Sequence, residues 1–179
     1  MSSPRPTIDA FAAEFARYRG LAERAAAQLS WADLRAPLDP HTNSIAIIMK
    51  HLAGNLHSRW TDPFTTDGEK PWRSRDAEFI DDFADRDALL AHWHRGWATL
   101  DSALSTMTDA DLPRTLHIRG EPHTLTRALA RSAAHAAYHA GQIVQAARVL
   151  ASRQGTEWQT LTVPRGGSNE HNAKMGYKI

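Results

Sequence analysis

The chain has 179 residues, 42% of them apolar and 23% charged, with a net charge of +1. That length and balance predict one soluble domain over residues 1–179, large enough to bury a real core. They point away from nucleic acid, since no basic patch stands out, and from membranes, since every apolar run is short. Cysteine is absent, which excludes disulfides, thiolate nucleophiles and Cys-ligated zinc. The segment Met1–Pro6 lacks the apolar stretch of a signal peptide, so a cytoplasmic location is expected.

Residues 7–29 are expected to form the first helix, with Thr7 as its N-cap. Ile8, Phe11, Phe15, Tyr18, Ala22, Ala25 and Leu29 alternate steps of three and four, a helix seam that faces a core. Residues 30–42 are expected to be loop, because Pro37 and Pro40 stop a helix. Asn43 or Ser44 caps the second helix, which runs to about Trp60. Its apolar residues, Ile45, Ile47, Ile48, Leu52 and Leu56, cover more than half its circumference, and His51 lies among them. Residues 61–82 carry Pro63, the Asp67-Gly68 turn signal, Pro71 and Trp72-Arg73. So long a loop is either functional or a surface excursion pinned by Phe64 and Trp72.

Asp85 or Asp87 caps the third helix, to about Thr106, with a stripe of Leu89, Trp93, Trp97, Leu100 and Leu104. His92 and His94 flank that stripe without a partner at i+4; His94 is expected in solvent and His92 at the core edge. Between 108 and 125, polar–apolar alternation around Arg119-Gly120 predicts a short hairpin. The fourth helix then runs from about Thr124 or Thr126 to Ala151. Leu125, Leu129, Ser132, His135, Ala136, His139, Ile143, Ala146 and Leu150 fall on its core-facing stripe. From 152 the tail is Gly- and Asn-rich, expected irregular and disordered at its end.

A short repeat relates the two halves. Ser30-Trp31-Ala32-Asp33-Leu34 precedes the helix of His51, and Thr108-Asp109-Ala110-Asp111-Leu112 precedes the helix of His135. Two such helix hairpins predict an all-α four-helix bundle.

His135 and His139 are spaced i, i+4, which places both imidazoles on one helix face about 6 Å apart along the axis. In a chain with ten histidines such a pair also arises by chance, and core histidines are the bland alternative. The alanines around the pair offer few hydrogen-bond partners, while Gly141 leaves room, so a shared metal is one way to satisfy the rings. His51, in the equivalent half, is the best third ligand. Three neutral imidazoles and an open position describe a catalytic centre, able to lower the pKa of a bound water to about 7 or to polarise a thiol or carbonyl. Ala136 stands where the His-Glu-x-x-His pattern of zinc proteases carries its general base, which argues against that class.

Asn43-Ser44-Ile45 through Lys50-His51-Leu52-Ala53-Gly54-Asn55, with His135-x-x-Tyr138-His139-Ala140-Gly141-Gln142-Ile143, resembles the DinB/YfiT-like superfamily of metal-dependent proteins. Asp67-Gly68-Glu69-Lys70-Pro71-Trp72-Arg73 and Val163-Pro164-Arg165-Gly166 resemble an uncharacterised bacterial subfamily within it. The resemblance implies a four-helix bundle that holds a divalent metal through His51, His135 and His139, with zinc or nickel favoured and iron or copper also suited to imidazole. It implies a homodimer. It also implies a small-molecule substrate, a low-molecular-weight thiol among the candidates, in an S-transferase or hydrolase reaction. Tyr138 departs from the family pattern, where many relatives carry another histidine. Tyr138, Arg59 and the Trp72-Arg73 loop are candidate substrate contacts. A non-catalytic, stress-related metal-binding or structural protein is the alternative.

Overall fold

The structure, a computed structural model, describes residues 4–177. Residues 1–3 of the N-terminal segment and the last two residues of the tail lie outside the described part. Among the described residues the protein is predominantly helical, with six α-helices and one two-stranded sheet. The order is α1 (Pro6–Ala26), α2 (Trp31–Arg35), α3 (Ile45–Trp60), α4 (Arg86–Ser105), β1 (Thr115–Ile118), β2 (Glu121–Thr124), α5 (Leu125–Arg153) and α6 (Ser168–Lys174). Single 3₁₀ turns cover Asp76–Phe79 and Asp109–Asp111.

The predicted stripes become the core. On α4, Leu89, Trp93, Trp97, Leu100 and Leu104 are all buried. Phe15 of α1 meets the Trp97 ring edge-on at 6.4 Å, and Trp93 lies 5.4 Å from Trp97. The Trp93 indole N–H donates to Glu23 at 2.9 Å, so this large buried ring leaves no polar atom unsatisfied. α3 packs on α4 and α5, and α1 packs on α5 and α4. Where α3 crosses α4, a Cβ on Gly96 would stand 2.4 Å from the Ala53 carbonyl oxygen. Only glycine admits so close a backbone approach.

Several boundaries differ from the sequence expectation. Thr7 is not the cap of α1, because Pro6 already opens the helix. The free amides of Thr7 and Ile8 donate instead to the Asp109 carboxylate, 3.0–3.1 Å away and a hundred residues on. α1 also stops at Ala26 rather than at 29. Arg86 donates to the carbonyls of Ala26 and Leu29 there. Residues 30–42 are not all loop, since Ser30 and Asp33 form a capping box that starts α2. Thr108 and Asp111 form a second capping box, so the repeated motif is one device used twice. Ser44 and Asp85 cap α3 and α4 as expected.

The hairpin forms with Ile118 opposite Glu121. Arg119 and Gly120 both have positive φ, 56° and 75°, as a two-residue turn that follows the strand twist requires. α5 starts after Thr124 and runs two residues beyond Ala151 to Arg153. The tail is not wholly irregular: α6 forms where loop was expected.

The 61–82 segment is tied to the rest of the fold along its length. Asp67 accepts the amides of Arg119 and Gly120 at 2.8 and 2.7 Å, which ties it to the hairpin turn. Gly68 N–H donates to the His117 carbonyl, and the buried Ser58 hydroxyl donates to the Gly68 carbonyl, both at 2.8 Å. Lys50 then clamps the far end through the Ala77 and Ile80 carbonyls. Trp72, expected as a pin, is 55% exposed and lies against His57 instead.

Candidate metal centre

α3 presents His51, and α5 presents His135 and His139 one turn apart. His51 is buried; His135 and His139 are half-buried at the edge of the core rather than inside it. The Nε2 atom of His135 lies 3.3 Å from that of His51 and 3.0 Å from that of His139. One nitrogen from each ring falls within 4.8 Å of the other two. Nitrogens bound to one tetrahedral ion at ordinary bond lengths stand about 3.3 Å apart, so this spacing fits a shared cation.

The outer nitrogens set the protonation of the inner ones. His51 Nδ1 donates to Glu78 Oε2 at 2.8 Å. His139 Nδ1 donates to the Gln142 side-chain oxygen at 2.7 Å, and the Gln142 amide in turn donates to the Tyr138 hydroxyl at 3.0 Å. With their protons on Nδ1, His51 and His139 both aim lone pairs inward. His135 has one proton and can satisfy only one of them. In that tautomer two inward lone pairs face one proton, a demand that a cation at the centre would meet.

Burial, reinforced by the neighbouring imidazoles and by Arg59 and Arg73, pushes His135 down to about 3. Burial also lowers His139, against the Gln142 bond that favours its charged form. These two rings are neutral at pH 7, the form a metal needs.

Glu78 anchors the cluster from behind. Burial alone would raise its carboxyl, but hydrogen bonds from His51 and Arg73 outweigh that and hold it below the ordinary carboxylate range. Arg73 grips it with Nε and Nη2 at 2.8 and 2.9 Å. The Phe79 ring stacks on His51 at 4.9 Å. Gly54, one turn beyond His51 on α3, makes room: a Cβ there would lie 2.5 Å from Glu78 Oε1. Carboxylate–histidine pairs of this kind orient ligands and raise their basicity.

The three histidines expected as ligands are thus brought together. Arg59 lines a cavity that His51 and His135 also border. Tyr138 is 61% exposed and acts through Gln142 on His139. Of the Trp72-Arg73 pair, Arg73 braces Glu78 while Trp72 lies on His57. His92 Nε2 donates to the Lys50 carbonyl at 3.1 Å, and His94 is exposed; neither joins the cluster. Gly141 is not what gives the imidazoles room, since a Cβ there would meet nothing within 4 Å. Sequence reasoning assigns no role to Glu78, Gly54 or Gln142. Gln142 carries a signal, being at i+3 from His139 on the same face.

The fold and centre define a class: a helical protein with a three-imidazole site able to hold one metal ion. More particularly, the chain belongs to the family described as Protein of unknown function (DUF1572), which it matches over residues 3–167. Its structure is similar to that of a conserved protein of locus from Enterococcus faecalis, with a TM-score of 0.63 at 19% identity. That similarity covers 84% of this chain and 99% of the other, and it concerns the fold. No curated protein matches the sequence. No helix among the described residues is long and apolar enough to cross a membrane.

Proposed function

We propose that this chain is a divalent-metal protein of the DinB/YfiT type, a four-helix bundle built from α1, α3, α4 and α5, that acts on a small molecule. The observation that carries the reading is the convergence of three Nε2 atoms, with that of His135 3.3 Å from His51 and 3.0 Å from His139. His51, His135 and His139 would be the ligands. Zinc or nickel suits this donor set best, with iron or copper as competitors. Such an ion supplies Lewis acidity to a molecule entering the position that three protein ligands leave free.

The chain's own groups do the rest. Glu78 fixes the His51 ring and its tautomer, and Gln142, held by Tyr138, does the same for His139. The bordering cavity, about 400 Å³, supplies room for a small substrate. A transferase or hydrolase reaction follows from a centre with an accessible coordination position, with a low-molecular-weight thiol as the first co-substrate to test. The cavity beside the histidines favours this over a purely structural metal, which would be closed by a fourth protein ligand.

Elemental analysis of protein purified without added metal tests the reading. Near-stoichiometric zinc or nickel is expected, with loss in His51→Ala, His135→Ala and His139→Ala. Full metal content in all three variants would place the ion elsewhere and overturn the assignment. Retention of the fold on chelation separates a working centre from a structural one.

A further inference from the structure

The cavity beside the histidines is lined by five guanidinium groups, Arg59, Arg73, Arg75, Arg119 and Arg131. The carboxylates that touch them are Glu69, Glu78 and the fully exposed Asp76. Glu69 is shared three ways, at 3.6 Å from Arg59 and 3.2 Å from both Arg73 and Arg119. Against those three carboxylates two positive charges are left over, and one remains when Asp67, which accepts the Arg119 amide and acts on Arg59, is also counted. Among the described residues Arg131 has a single side-chain partner, the buried His123 ring at 3.1 Å. Arg59, on α3, holds one terminal nitrogen buried with no hydrogen-bond partner among the described residues. Two further lining groups, the Asn55 amide and the Ser132 hydroxyl, make no hydrogen bond to the described residues and are free to meet a ligand.

The side chains of Arg59 and Arg73 are mostly buried at the base of this concave site, while Arg75, Arg119 and Arg131 reach solvent at its rim. Like charge gathered in a cleft focuses a field that favours an anion. Guanidinium groups bind planar and tetrahedral oxyanions through paired N–H donors. The structure assigns this cavity as the binding site for the oxyanion group, carboxylate or phosphate, of a small anionic substrate. His51 and His135 border the same cavity, so a molecule anchored by its anionic end at the arginines presents its other end to the histidine cluster. This deepens the metal-dependent reading and rests on it for the reaction, while the anion site itself stands on the arginines. Arg59 supports the assignment: burial and repulsion from Arg73 lower it to about 10, a penalty that a bound anion relieves.

Calorimetric titration of the metal-free protein with inorganic phosphate, and separately with succinate, tests this. Saturable binding of at least one is expected, and the stronger of the two identifies the anion as phosphoryl or carboxylate. Arg131→Gln and the double variant Arg75→Gln/Arg119→Gln are expected to bind at least about tenfold more weakly, the scale of losing a charge-assisted hydrogen bond. Arg131→Lys should recover part of the loss, which separates lost charge from lost packing. Arg127→Gln, an exposed arginine on the same helix outside the cavity, should bind as the parent does. Equal binding by the arginine variants, or no saturable binding by the parent, overturns the proposal. So does tighter binding of a single-stranded oligonucleotide that depends on the same arginines, which would make this a polynucleotide surface. His139→Ala, which does not line the cavity, keeps the two readings apart. It should abolish metal uptake and leave phosphate or succinate binding intact, so failure of the metal centre and failure of the anion site show as different results.

Discussion

Replacing Glu78 with glutamine removes the charge behind His51 while keeping its shape. In the parent the carboxylate accepts from His51 Nδ1 at 2.8 Å, with both side chains only 8% exposed. Little solvent screens that contact, so the loss should be felt in full at the ligand nitrogen. Substitution of such an outer partner weakens metal binding about 10–100-fold, or roughly 1.4–2.8 kcal/mol. The same effect is reachable without touching any polar group. In Gly54→Ala the new Cβ would sit 2.5 Å from Glu78 Oε1 and 2.9 Å from its Cδ, so the carboxylate must move off His51. Zinc affinity measured by competition with a chromophoric chelator, well below the melting temperature, should fall in both variants. Glu78→Gln also leaves Arg73, whose side chain is 3% exposed, with Glu69 as its remaining carboxylate, so some loss of stability accompanies it. Parental zinc affinity in both variants would refute the carboxylate's role and, with it, the orientation argument for His51.

Two glycines on the long helices should respond in opposite directions. Gly96→Ala forces α3 and α4 apart and should lower stability by about 1–3 kcal/mol, whereas Gly141→Ala enters open space and should raise it by about 0.5–1 kcal/mol, both read from denaturant melts. Acid should weaken the metal-free fold. His135 has a folded pKa of about 3 against an ordinary 6.5, so its contribution is complete above about pH 6.5 and is lost as pH falls toward 3. Melting temperatures across that window should drop more steeply for the parent than for His135→Asn; identical slopes would show that the ring is not held neutral by the fold. Ser44→Ala removes the acceptor for the Ile47 amide at the start of α3 and should cost about 1 kcal/mol by the same melts.

The helices and the histidine pair of α5 are legible because they depend on periodicity. His135 and His139 share a face of an α-helix, and the apolar run around His51 reads as a buried helix. Gly120 marked the hairpin, since the turn needs positive φ. What stayed hidden depends on contacts between distant segments. Glu78 sits in a stretch with no period to read, and its pairing with His51 follows from the 61–82 segment being tied to the hairpin through Asp67. The α1 cap came from Asp109, which no local rule finds. The Ser30-x-x-Asp33 box was readable and was masked by Pro37 and Pro40, which end a helix but do not prevent a short one before them. The arginine cavity draws on α3, the 61–82 segment, the hairpin turn and α5, so its charge is dispersed in sequence and concentrated only in space.

The central claim is that His51, His135 and His139 hold one metal ion. Titrating the metal-free protein with Co²⁺ while recording its visible spectrum tests it most directly. The account predicts saturation at one equivalent per chain, with the intense bands of a low-coordinate, nitrogen-ligated ion, and their loss in each single alanine variant. Weak octahedral bands alone, or an unchanged spectrum in the His51→Ala, His135→Ala and His139→Ala proteins, would contradict it.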